Sequence, residues 1–60
     1  MRLGEWLVLR GAITRAQLFR ALSACDSTGW RIGDAVVALG FATPALVEAE
    51  REILEQRRGS

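Results

Sequence analysis

The chain has no histidine, no lysine and no tyrosine among its 60 residues. An activated serine or threonine nucleophile needs a neighbouring base, and histidine and lysine are the usual ones. The hydroxyl side chains therefore have no evident base, and we expect no enzymatic activity. A phosphate-cradling loop of the GxxxxGK type is excluded as well, because that loop needs a lysine.

Cysteine and long apolar runs are also scarce. Cys25 is the single cysteine, so the chain has neither an internal disulfide nor a cysteine-built metal site, and we expect Cys25 to be a small core residue. The longest apolar runs, "WLVL" and "AVVAL", are far shorter than the roughly 20 residues that span a bilayer. Because no signal peptide is evident either, we expect a cytoplasmic protein.

The charges are nearly balanced, with eight arginines against seven acidic residues. No strongly basic field is therefore available for bulk binding of nucleic acid. The planar arginine side chains suit phosphate, carboxylate or aromatic faces. Near the carboxyl end, glutamates interleaved with arginines are typical of a solvated helix face rather than of a metal site. These glutamates are Glu48, Glu50, Glu52 and Glu55.

The length allows one domain at most, and half of the residues are hydrophobic. Such a chain folds, but its stability is modest, about 3–5 kcal/mol for a scaffold of this size. We predict a single domain over residues 1–58. Residues 59–60, "GS", are expected to be a tail or a cloning remnant.

Two segments, "RLGEWLVLRG" at 2–11 and "RIGDAVVALG" at 31–40, have the same pattern at an offset of 29 residues. Matches at one fixed offset over so short a window predict an internal repeat. The aligned pairs are Arg2/Arg31, Leu3/Ile32, Gly4/Gly33, Glu5/Asp34, Leu7/Val36, Val8/Val37, Gly11/Gly40, Thr14/Thr43 and Ala16/Ala45.

Helix start signals follow each segment. Thr14 is a candidate N-cap whose capping box is completed by Gln17. In the second copy Thr43 is the candidate cap, and Pro44 takes the first helical position, where its missing N–H is not needed. Each copy therefore contains the start of an amphipathic helix.

Gly11 and Gly40 fall where the preceding helix must end in a left-handed turn. The signals together predict an all-α fold of four short helices. We expect them to form two helical hairpins related by approximate two-fold symmetry, with their apolar stripes packed together. The predicted helices cover about 3–10, 15–27, 31–39 and 44–57.

The expected core combines two apolar stripes with the aromatic side chains. Trp6, Phe19 and Phe41 are expected in the core because aromatics bury the most area per residue. Core packing is the default for Trp30 as well. The alternative, strongest for this residue, is an exposed indole in the connection between the copies that stacks on a planar ligand or a partner. The stripes are Leu18, Leu22 and Cys25 in the second helix, and Leu46, Ala49 and Ile53 in the fourth.

Each copy begins with an arginine, Arg2 or Arg31, in the first turn of a helix, where a positive charge opposes the helix dipole. One interpretation is that the neighbouring acid, Glu5 or Asp34, compensates for it. The other is an external anion, held by free helix N–H groups, a glycine without a Cβ and the arginine fork. Two such anion sites, one at each helix start, would suit a ligand that itself has two-fold symmetry.

The segments "RLGEWLVLRGAITRAQLFRAL" and "RIGDAVVALGFATPALVEA" resemble the tandem motif of the MshEN-type N-terminal domain of type II secretion and type IV pilus assembly ATPases. The resemblance covers nearly the whole chain. It implies an all-helical regulatory domain that has no catalytic residues and no cofactor, docks onto a protein partner in the machinery, and in a subset binds cyclic di-GMP. By position, the ligand contacts would be Arg2, Leu3, Gly4, Leu7, Gly11, Ile13, Leu18 and Leu22, then Arg31, Ile32, Gly33, Val36 and Gly40.

Four positions depart from the family pattern. The nucleotide-binding subset usually ends each motif with a glutamine that helps to hold a guanine edge, and here those positions are Cys25 and Leu54. Neither side chain offers the paired donor and acceptor of an amide. Ala42 and Arg51 also stand where larger apolar residues are usual. We therefore make two separate predictions for this surface, one that it binds a protein and one that it binds the nucleotide.

Two alternatives from other classes are a DNA-binding module and a homodimer. The segment "ITRAQLFRAL" has the length of a recognition helix, but its two arginines provide little positive charge for binding the DNA backbone. A homodimer would use exposed apolar residues such as Leu39, Phe41 or Leu54. A membrane-surface role would need a basic amphipathic helix, which the sequence lacks.

Overall fold

A computed structural model of the protein describes residues 1–59. No strand occurs in this range, so the all-α prediction is confirmed, and every helix end lies within two residues of its predicted position. Gly59 belongs to the last helix, whereas Ser60, the other residue of the predicted tail, lies outside the described residues. The helices are α1 (Leu3–Leu9), α2 (Arg15–Thr28), α3 (Ile32–Ala38) and α4 (Pro44–Gly59).

The two long helices begin at the predicted caps. The hydroxyl of Thr14 accepts from the N–H of Gln17 at 3.1 Å, and the Gln17 side chain accepts from the N–H of Thr14 at 2.9 Å. The hydroxyl of Thr43 accepts from the N–H of Leu46 at 3.2 Å, and Pro44 is the first residue of α4. Each cap gives a partner to an N–H group that the helix itself leaves free.

The two short helices end at glycines in the left-handed conformation. Gly11 has a φ of 77°, and the N–H of Ala12 donates to the carbonyl of Leu7 at 2.9 Å. The corresponding bond after Gly40 measures 2.8 Å. Both ends are therefore Schellman caps, as the glycines predict. Gly29, which was not among the predicted helix ends, ends α2 in the same conformation.

The starts of α1 and α3 also correspond at the offset of 29 residues. The carbonyl of Arg2 accepts from the N–H of Trp6 at 2.9 Å, and the carbonyl of Arg31 accepts from the N–H of Ala35 at 3.0 Å. Both arginines are N-cap residues with an extended backbone and without a side-chain cap bond. The two segments therefore have the same local backbone structure at both ends.

The core lies around the two short helices, because α1 and α3 contact each other and both long helices. Leu7 on α1 and Val36 on α3 are its largest fully buried side chains. Half-buried Cys25 packs against the cluster from α2, close to its predicted place. The remaining buried apolar residues are Trp6, Ile13, Ala21, Ala35, Val47 and Leu54.

The predicted stripe of α2 needs a correction. Ala21 is fully buried, whereas Leu22 is 49% exposed. Small Ala21 lets α2 approach the short helices closely, and Leu22, one position further around the helix, reaches the surface. Leu18 packs against the core as expected, but only partly buried.

The predicted stripe of α4 is wrong by one position. Val47 and Leu54 are buried, whereas Leu46 is exposed. The inward face therefore follows positions 47, 50, 51 and 54, which have helical spacing. Two of these positions carry Glu50 and Arg51, so a search for apolar residues alone selects the neighbouring face. The burial of Leu54 also removes it from the predicted dimer surface.

The prediction for Phe19 is wrong as well, because its side chain is 72% exposed. It lies two positions before buried Ala21, which places it about 200° around the helix from the core. Trp6 is buried and Phe41 packs half-buried against the core, as expected. Trp30 is 45% exposed, which is the alternative given for it rather than the default of core packing.

Glu50 is not part of a solvated face, contrary to the prediction. Its side chain is 15% exposed, and its Oε1 accepts from the indole N–H of Trp6 at 3.1 Å and from Nε of Arg10 at 2.9 Å. The guanidinium carbons of Arg10 and Arg57 each lie 5.5 Å from the centre of the Trp6 ring. This polar cluster joins α1 to α4 and explains why an acid faces inward.

Candidate ligand-binding groove

A groove of about 440 Å³ lies over Gly4, where α1, α2 and the start of α3 meet. We call it the Gly4 groove. Its volume falls in the range of small-molecule sites, roughly 300–1,000 Å³. The groove is lined by Arg2, Gly4, Glu5, Leu18, Leu22, Cys25, Trp30, Arg31 and Ile32.

The floor of the groove is closely packed because Gly4 has no side chain. A Cβ on Gly4 would lie 2.6 Å from Cδ1 of Leu18 and 3.3 Å from Cγ1 of Ile32. The glycine therefore lets α2 and α3 close against α1. The resulting floor is apolar.

Arg2 and Arg31 both line this groove, and both are exposed. Within residues 1–59 neither side chain has a hydrogen bond or an ion pair. Glu5 and Asp34 do lie in the first turns of α1 and α3, but neither pairs with an arginine in that range. Two guanidinium groups with free donors therefore face one groove, which suits an anion or a planar polar group.

The indole of Trp30 forms part of the rim. The chain leaves α2 at left-handed Gly29, and the N–H of Trp30 donates to the hydroxyl of Thr28 at 3.1 Å. This turn holds the exposed indole beside the groove. An indole next to an arginine offers a planar ligand both a stacking face and hydrogen-bond donors.

The other predicted contact residues lie elsewhere. Leu7 and Val36 are fully buried and Ile13 is 4% exposed, so these three belong to the core and do not line the groove. Gly11 and Gly40 lie at the carboxyl ends of α1 and α3, away from the residues that line the groove.

Leu3 and Gly33 line an adjoining groove, which we call the Arg51 groove and which has a volume of about 240 Å³. It shares Arg31 and Ile32 with the Gly4 groove. Position 51 corresponds to position 22 at the offset of 29, so an arginine here stands where the Gly4 groove has a leucine. The Arg51 groove is lined by Leu3, Arg31, Ile32, Gly33, Arg51, Leu54, Glu55 and Arg58.

Sequence reasoning did not place Arg51, Glu55 or Arg58 at the candidate site. The offset of 29 residues could have identified Arg51, because it pairs this residue with Leu22, one of the predicted ligand contacts. Glu55 and Arg58 had no such signal, since their place depends on how α4 packs against α1 and α3. The half-buried Cys25 lines the Gly4 groove, but a thiol does not replace the expected amide.

Other kinds of site are not evident in the described range. No group of three or more potential metal ligands occurs among residues 1–59. None of the helices described combines the length and the apolar character needed to cross a bilayer.

Comparisons of the chain with family models, with curated proteins and with solved structures give no match. The groove geometry and the motif resemblance are consequently the two grounds for assigning a function. Neither depends on the other, because the groove is defined by the packed side chains alone.

Proposed function

We propose that the protein is a non-catalytic regulatory and docking module of bacterial secretion or pilus machinery, and that the Gly4 groove binds cyclic di-GMP. One observation carries the proposal: Arg2 and Arg31, both without partners in the described range, line the same groove. Cyclic di-GMP combines two phosphates with two planar bases. Arginine forks bind phosphate oxygens and also the O6 and N7 atoms of guanine.

Stacking supports the same ligand class. A base that stacks on an aromatic side chain gains about 1–3 kcal/mol, and Trp30 is the exposed aromatic side chain at this rim. Leu18 and Ile32 supply the apolar floor. Because Cys25 stands in place of the glutamine, the arginines are the side chains that hydrogen-bond to guanine in this proposal.

The docking of a protein partner is proposed at the same face. Phe19 and Leu22 on α2 are exposed, and Trp30 lies nearby at the rim of the groove. Aromatic side chains and arginines contribute most of the binding energy at many protein interfaces. A partner on this surface would compete with the nucleotide for Arg2 and Arg31.

Calorimetric titration with cyclic di-GMP tests the nucleotide part of the proposal. Arg2→Ala and Arg31→Ala should each weaken binding by about 1.5–3 kcal/mol, the range for a hydrogen bond to a charged group. Arg20→Ala is the matched control, because Arg20 is exposed on α2 and lines neither groove. No heat and no shift of the melting temperature at about 100 µM ligand, a concentration that detects even weak binding, would leave only the docking of a protein.

A further inference from the structure

The guanidinium group of Arg51 lies directly on the backbone of Gly33. The position that a Cβ on Gly33 would take is 2.6 Å from Nη2 of Arg51 and 3.2 Å from Cγ1 of Val47. The absence of a side chain at Gly33 is therefore what lets the guanidinium approach α3 this closely. At Gly4 the closest neighbour is Cδ1 of Leu18, which corresponds to Val47 rather than to Arg51 at the offset of 29.

The donors of this guanidinium are not used within the protein. In the described part of the chain, Arg51 has no hydrogen bond, and its one ion pair is with Glu48 at 3.8 Å. A contact of this length between exposed side chains is worth little. Arg31, on the same groove, has no partner in that part of the chain.

The groove has a local excess of positive charge. Three arginines and one acid line it, in a chain whose net charge is only +1. Glu55, the acid, pairs with none of these arginines among residues 1–59. Arg58 donates to the backbone carbonyl of Met1, which holds its side chain beside the groove. Convergent arginines with free N–H groups bind phosphate oxygens well.

We propose that the Arg51 groove is a subsite for a phosphate group, with Arg31 and Arg51 as its donors. The Gly4 groove next to it presents leucines, a thiol and an indole, so the two halves suit different chemistry. A ligand that fits both grooves places a planar group in the Gly4 groove and a phosphate group over Gly33 in the Arg51 groove. Only the planar part of this ligand rests on the proposed function. The binding of phosphate in the Arg51 groove can be tested separately.

Inorganic pyrophosphate is the direct probe, titrated at low salt into ¹⁵N-labelled protein. The backbone N–H signals of Gly33 and its neighbours should shift, and Arg51→Leu should weaken binding by tenfold or more, roughly 1.4 kcal/mol. Leucine is the residue at the corresponding position 22, where it is 49% exposed, so this variant is expected to fold. Arg20→Ala should change the dissociation constant by less than about twofold, since it alters net charge alone.

Three outcomes would overturn the subsite. One is equal binding by Arg51→Leu and the unchanged protein. Another is an equal loss in Arg51→Leu and Arg20→Ala, which would mean an adventitious ion only. The third is a set of shifts that leaves Gly33 unaffected. If Arg51→Leu loses its helical circular dichroism, Arg51→Gln replaces it, with the same expected loss.

The result separates this proposal from the proposed function. Loss of pyrophosphate binding in Arg51→Leu supports the subsite even if cyclic di-GMP does not bind. Conversely, binding of cyclic di-GMP that depends on Arg2 but not on Arg51, together with no pyrophosphate binding, keeps the proposed function and rejects the subsite.

Discussion

Trp6 and Glu50 are joined by a hydrogen bond of 3.1 Å from the indole N–H to the carboxylate, which links α1 to α4 across 44 positions of the chain. The same carboxylate accepts from Arg10. The bond gives the buried indole a partner for its one polar group, which an apolar contact with α4 would leave unpaired.

Glu50→Ala should therefore destabilise the fold by about 1.5–3 kcal/mol, because it removes the charged acceptor to which the Trp6 indole and the Arg10 guanidinium both donate. For a domain of this size that lowers the melting temperature by roughly 4–8 °C per kcal/mol. Urea unfolding followed by circular dichroism measures it. Glu52→Ala, at an exposed position, should stay within about 0.5 kcal/mol; equal effects would show that the Trp6 bond adds nothing.

The two buried glycines should differ in their response to alanine. Alanine gains about 1 kcal/mol of helix propensity over glycine, and this gain competes with crowding. At Gly33 the closest atom is the end of a flexible, partly exposed arginine, and Cγ1 of Val47, at 3.2 Å, needs to move by only a few tenths of an ångström. Gly33→Ala should therefore be nearly neutral. At Gly4 the close atoms belong to Leu18 and Ile32, and overpacking of about 1–3 kcal/mol should make Gly4→Ala destabilising.

Chemical unfolding of the two variants side by side measures this difference. A Gly33→Ala variant that is less stable than Gly4→Ala would mean that the Arg51 guanidinium is held rigidly. The same Gly33→Ala variant should also lose pyrophosphate affinity, since its Cβ displaces the guanidinium.

Gly40→Ala tests the left-handed helix end without steric interference. Gly40 has a φ of 78°, and no atom lies within 4 Å of the position that a Cβ would take. The left-handed conformation costs a non-glycine residue roughly 1–2 kcal/mol, so the variant should lose about that much free energy of unfolding. Gly40→Asn should lose less, because asparagine adopts this conformation more readily; equal losses in urea unfolding would contradict this explanation.

Phe19→Ala should leave the stability unchanged within about 0.5 kcal/mol, because surface side chains contribute little. Leu7→Ala, in the core, should cost about 2–5 kcal/mol. That loss equals most of the stability expected for this chain. Thermal unfolding of both variants gives the comparison, and a large loss in Phe19→Ala would place its ring against the core.

Local signals predicted the helix ends, because caps such as Thr14 and glycines such as Gly11 act within a few residues. The inward faces of the helices were harder. Glu50 faces inward because Trp6 and Arg10 satisfy it, and Arg51 does so because Gly33 leaves room. Both causes are tertiary, and neither is visible in the hydrophobic pattern of α4.

The candidate site was predicted in part. The repeat pattern placed Arg2 and Arg31 in equivalent positions, and the structure brings both to one groove. The motif also included Leu7 and Val36, which are buried. A sequence motif does not separate the exposed residues that line a groove from the buried residues of the core.

The two tryptophans allow the most direct test of the central claim, that a ligand lies in the Gly4 groove between Arg2 and Arg31. Trp30 lines this groove, and Trp6 is buried against Glu50 on another side of α1. In a ¹⁵N–¹H spectrum, cyclic di-GMP at about 100 µM, enough to populate a weak complex, should shift the indole signal of Trp30 and leave that of Trp6 in place. An unchanged Trp30 signal, or a shift confined to Trp6, would contradict the account.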